Sequence, residues 1–107
     1  MPYDEGVAAR VRSALGDATA YKTRKMFGGL AFMVNGNMCC GVIEYQVVLR
    51  LGKEGATAAL EDPHISEMDF TGRIIRSMVY LDGDVSDDAL EEWVSEAVAF
   101  TASLPEK

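Results

Sequence analysis

The chain is poor in the residues that most often carry chemistry. Its 107 residues include one histidine, one tryptophan, two cysteines and three prolines. His64 alone cannot build a histidine centre, and structural zinc needs four nitrogen or sulfur ligands. Cys39 and Cys40 are adjacent, and neighbours in a strand point to opposite faces. Both thiols are therefore expected to be reduced and mutually unbonded. No stretch approaches the ~20 continuous apolar residues of a membrane-spanning helix. The start, Met1-Pro2-Tyr3-Asp4-Glu5, lacks the basic and apolar regions of a secretory signal, which predicts a cytoplasmic location. Bases are also scarce: ten Lys and Arg against seventeen Asp and Glu, a net charge of −7. Non-specific nucleic-acid binding draws on cations that displace counterions, so direct DNA binding is not expected.

Nucleotide and metal motifs are missing as well. Gly28-Gly29 leads into a strand, and neither Gly-x-Gly-x-x-Gly nor Gly-Lys-Ser/Thr occurs. The expected role of these glycines is a bulge or a close backbone contact. The acids Asp82, Asp84, Asp87 and Asp88 do not form a calcium loop. Counted from Asp82, the glycine position is Asp87 and the bidentate glutamate position is Trp93. His64 follows Asp62-Pro63 in an expected exposed loop, out of reach of cysteines in a buried strand. No catalytic residue, cofactor or metal is assigned.

What is present reads as one α+β domain over residues 1–107, with 49% apolar and 25% charged residues. The spacing predicts an antiparallel five-stranded sheet with three helices, in the order α-β-β-β-α-β-β-α. Tyr3 to Leu15 is the first helix, capped by Asp4 and ended by Gly16, with Val7, Val11, Ala14 and Leu15 on one face. Asp17 to Thr23 is a loop. The Asn35-Gly36 pair predicts a type I′ hairpin that sets Val34 opposite Asn37, Phe32 opposite Cys39 and Ala31 opposite Cys40. Leu30, Phe32 and Cys39 then share a face. Gln46 to Leu51 is the third strand and Lys53 to Leu60 a short helix. Glu67 to Phe70 and Arg73 to Leu81, joined at Thr71-Gly72, are the last strands; Ile75, Val79 and Leu81 line one face. Ser86 caps the final helix, whose stripe is Leu90, Trp93, Val94, Ala97, Val98, Thr101 and Leu104, with Trp93 anchored at its centre. The aromatics are core rather than stacking platforms, since Trp93 and Phe100 sit on the most acidic helix.

Charge is uneven. Arg10, Arg12, Lys22, Arg24 and Lys25 are half of all bases, opposed locally by Asp17 alone. Residues 82–106 hold eight acids and no base. Two electrostatic poles of this kind can orient a partner. Arg24, Lys25, Arg50, Arg73 and Arg76 are the candidate binding residues, and most stand in or beside strands. Edge charges that block strand aggregation are the competing account.

The stretch Lys25-Met26-Phe27-Gly28-Gly29, followed by an apolar strand, the Asn35-Gly36 turn and a second apolar strand, resembles the N-terminal domain of the TfoX/Sxy family of bacterial competence regulators. The likeness extends through Val48-Leu49-Arg50-Leu51, Met68-Asp69-Phe70 and Arg73 to Tyr80. It implies a stand-alone N-terminal domain, since the family's competence regulators add a C-terminal helical domain. It implies no catalytic residues. The expected function is a small non-enzymatic domain in transcriptional regulation that binds a protein, with the transcription machinery as the expected partner. An anion- or small-molecule-binding domain using Arg24, Lys25, Arg50 and Arg76 is the alternative, and an enzyme the second. A sheet apolar on both faces and only partly covered also predicts a homodimer.

Overall fold

The computed structural model describes residues 3–16, 20–26, 28–70 and 72–105. Asp17, the motif's Phe27 and Thr71 of the expected Thr71-Gly72 turn lie outside them.

The first helix, α1 (Glu5–Leu15), starts where Asp4 Oδ1 accepts a hydrogen bond from the Val7 amide at 2.9 Å, and it ends at Gly16. It buries Val7, Ala8, Val11 and Leu15. Four strands follow: β1 (Lys22–Met26), β2 (Gly29–Val34), β3 (Asn37–Ile43) and β4 (Gln46–Arg50). Then come α2 (Gly52–Ala59), β5 (Ile65–Phe70), β6 (Arg73–Asp82) and α3 (Asp87–Ala102). The strands form one antiparallel sheet in the order β1-β2-β3-β4-β6-β5.

The sheet therefore has six strands, not the expected five. The added one is β1, which falls partly in the expected loop. Lys22 to Lys25 are all exposed, so no burial pattern marks them as a strand. Backbone pairing with β2 makes this an edge strand, and its cations guard the open edge.

Asn35 and Gly36 have φ of 54° and 79°, as a type I′ turn requires, and Val34 pairs with Asn37. Beyond that pair the expected register fails. Met33 faces Met38, but Phe32 faces Cys40 and Ala31 faces Gly41, so Cys39 is an extra, bulged residue. A bulge sends consecutive side chains to the same side. Cys39 and Cys40 thus both join the helix-side core, together with Leu30 and Phe32, rather than opposite faces. Both are free and buried. A second irregularity corrects β6. Glu67 faces Val79, yet Met68 faces Ile75, so Ile75 leaves the face of Val79 and Leu81.

The buried residues of α1 and the buried apolar residues of α3, with Ala56 and Ala59 of α2, belong to one cluster with Leu30, Phe32, Val42, Val47, Leu49 and their neighbours. The helices therefore lie on one side of the sheet. Leu90, Val94, Ala97 and Thr101 form the buried stripe of α3; Trp93 packs at its margin, not its centre. Arg10 ties α1 to the segment before α3, donating to the Gly83 and Val85 carbonyls and to Asp87 Oδ1 at 2.8 Å. Its charge is spent inside the molecule, which removes Arg10 from the basic pole. Arg12 stands over the Phe32 ring. Among the described residues, no helix is long and apolar enough to cross a membrane.

Candidate binding surface

The other side of the sheet carries a separate apolar cluster. Ala31, Met38, Val48 and Met68 are buried there, with Met26, Met33, Ile43, Ile75, Met78 and Tyr80 half-buried around them. Every member comes from a strand and none from a helix. Five of the chain's six methionines gather here; the sixth is Met1.

Strand register arranges this face in rows. One row runs Lys22, Met33, Met38 on β1 to β3, then Arg50 and Met78 on β4 and β6. The next runs Arg24, Ala31, Gly41, Val48, Tyr80 and Ser66. Beyond it lie Met26, opposite Gly29, and Ile43, Gln46 and Asp82. The middle row is small at its centre, so it forms the floor of a trough between longer side chains. The Met38 methyl sits over that floor: a Cβ on Gly41 would lie 3.4 Å from it. Unbranched thioethers fill such irregular gaps and can repack. At the β1 side, Lys22, Arg24, Met33 and the Asn35-Gly36 turn border an open cleft of about 700 Å³.

The structure separates the candidate cations. Arg24 and Lys25 lie exposed on edge strand β1, but alternation turns Arg24 to the methionine side and Lys25 away from it. Arg50 ends β4, half-buried; its Nη1 donates to the Met38 carbonyl at 3.3 Å and its buried Nε has no partner among the described residues. Arg73 and Arg76 are exposed on β6. With strands ~4.8 Å apart, four steps set Arg24 roughly 19 Å from β6, so the set spreads across the sheet instead of closing on one anion. The ion pairs found among the described residues are Arg10–Asp87 and His64–Asp62, which leaves Lys22, Arg24, Arg50 and Arg73 outside any. Lys22, counted in the basic pole but not among the candidate binding residues, joins them because β1 is a strand that sets it beside Met33.

The backbone amide of His64 donates to Asp62 Oδ1 at 2.8 Å and, first among several causes, holds that carboxyl below the usual range. His64 itself is exposed, as expected of a loop. Cys40 is pushed well above the ordinary thiol range, first by its hydrogen bond with Cys39 and then by burial. Cys39 is lowered by the same bond, against its own burial, with Thr101 and Arg50 assisting. Burial, then Asp69 and Glu44, push the Tyr80 phenol up. No group of three or more His, Cys, Asp and Glu able to hold a metal occurs among the described residues.

The motif glycines do backbone work. Gly28 has φ of 73°, and a Cβ on Gly29 would meet the Val42 carbonyl oxygen at 2.2 Å. Residues 13–101, which include this motif and all six strands, match the family model described as TfoX N-terminal domain. The chain belongs to the TfoX N-terminal domain family. No curated protein and no solved structure matches it. In this TfoX N-terminal domain the most specific sequence signature thus serves the β1–β2–β3 junction, one edge of the methionine face.

Proposed function

We propose that this TfoX N-terminal domain is a non-enzymatic regulatory module that acts by binding a protein, within the competence and transcription setting of its family. The observation that carries the reading is the methionine face: an apolar sheet cluster with four buried residues at its centre, six partly exposed ones around them and no helix residue among its members. Such surfaces on soluble proteins mark interaction sites, and methionine suits them because it adapts to a partner's shape. The expected partner belongs to the transcription machinery; a second copy of the chain would use the same face.

Photo-crosslinking tests the proposal. Photo-methionine incorporated in cells would place reactive groups at Met26, Met33, Met38, Met68 and Met78, all in this cluster. Crosslinks from Met33 or Met78 to a defined protein support it. Crosslinks confined to the domain itself, with no protein captured, reject it.

A further inference from the structure

We infer that the methionine face takes an acidic amphipathic segment of a partner protein, with apolar side chains in the trough and carboxylates on Lys22, Arg24 and Arg50. The inference rests on the protein-binding reading above and adds the partner's chemistry.

Charge complementarity selects this occupant. The chain is acidic overall, at −7, yet the row along one side of the trough begins with Lys22 and includes Arg50, and the floor row begins with Arg24. None of these cations has a carboxylate within ion-pair distance among the described residues. Arg50 also keeps a buried Nε without a hydrogen-bond partner, beside Met38 and opposite Met78. Arg50 is only half-buried, so the accessible part of its side chain can meet a carboxylate from outside. Among the acids at this face, Glu44 and Asp69 act on Tyr80, Glu67 borders the groove of Ile75 and Met78, and Asp82 ends the far row. The basic end is therefore the end beside the Asn35-Gly36 turn, where the open cleft also lies.

The competing occupants fit less well. A two-fold pairing of this face would bring two sets of unmatched cations into one interface. Single-stranded nucleic acid needs aromatic platforms among the bases' contacts, and Tyr80 is the one aromatic in the three rows.

The geometry also sets a spacing. Three strand steps of ~4.8 Å separate Lys22 on β1 from Arg50 on β4, or roughly 14 Å. A helix rising 1.5 Å per residue covers that in about ten residues, and about eleven, three turns of 3.6 residues, bring the second position back to the same face. The fitting segment thus has two acidic positions about that far apart, with apolar residues between them on one face.

The test uses the full chain labelled with ¹³C at the methionine methyls. The probe is a peptide of roughly fifteen residues with a leucine stripe and glutamates at that spacing. Controls are the same peptide with lysine for glutamate and an oligothymidylate of similar length. The expected result is saturable shifts of the Met33, Met38 and Met78 methyls by the glutamate peptide alone. Lys22→Glu with Arg24→Glu, on the exposed edge, should weaken binding by about tenfold without changing the far-ultraviolet spectrum. Equal binding of the lysine peptide, or no methyl shift with the glutamate peptide, overturns the inference. Methyl shifts that grow with protein concentration alone would also overturn it in favour of a second copy, and leave the protein-binding reading standing. Oligothymidylate shifting the same methyls would overturn both.

Discussion

Replacing Gly29 with alanine tests the junction that the family motif builds. The new Cβ would lie 2.2 Å from the Val42 carbonyl oxygen and 3.0 Å from Ile43 Cγ1, where ordinary contact begins at 3.4 Å. Backbone atoms cannot swing aside as a side-chain tip can. β2 and β3 must therefore separate by about 1 Å at the Leu30–Val42 pair. Overpacking of this kind costs about 1–3 kcal/mol. Stretching a ladder hydrogen bond adds about 1 kcal/mol. The expected loss is about 2–4 kcal/mol, since both terms act at one place. In a domain of this size each kcal/mol moves Tm by about 4–8 °C, so a fall of about 8–32 °C is expected. Gly28→Ala is the internal control. Its Cβ meets nothing within 4 Å, and only the positive φ of 73° opposes it. That costs about 1–2 kcal/mol. Thermal melts followed by circular dichroism decide the matter. A Gly29→Ala protein that melts with its parent, or one more stable than Gly28→Ala, would refute the close-approach account.

Three further outcomes follow from the same structure. Ellman's reagent should react slowly with the native protein, because both thiols are buried and Cys40 is held protonated, and should then count two thiols in denaturant; rapid reaction of both in the native state contradicts the placement. Arg10→Ala should cost about 2–3 kcal/mol through its lost charged hydrogen bonds to two buried-end carbonyls. Asp87→Asn, at an exposed ion pair, should cost under about 1 kcal/mol, and urea titration showing the reverse order would sink the argument. Asp62 has a folded pKa below its unfolded one, so its contribution is present above the ordinary aspartate range and disappears as pH falls through the lowered value. Asp62→Ala should flatten the acid limb of stability against pH, and an unchanged limb would show that the His64 turn does not matter.

The sequence by itself determined the features whose causes are local. The Asp4 and Ser86 caps, the apolar rhythm of α1 and α3 and the Asn35-Gly36 turn each act within a few residues, so their signals survive in one dimension. The Lys25-to-Gly29 motif likewise carried the family. Tertiary structure decided the rest. The β1 strand has no burial signature, because an edge strand is held by its neighbour's backbone. The bulge at Cys39 and the irregularity at Met68 depend on which residues pair across strands, and each reversed a face that simple alternation assigned. The methionine face is the fullest case. Its five methionines are scattered from residue 26 to residue 78, with no period that links them. Register alone brings them together with Lys22, Arg24 and Arg50, and only the packing of all three helices on the opposite side leaves that face without a helix of its own.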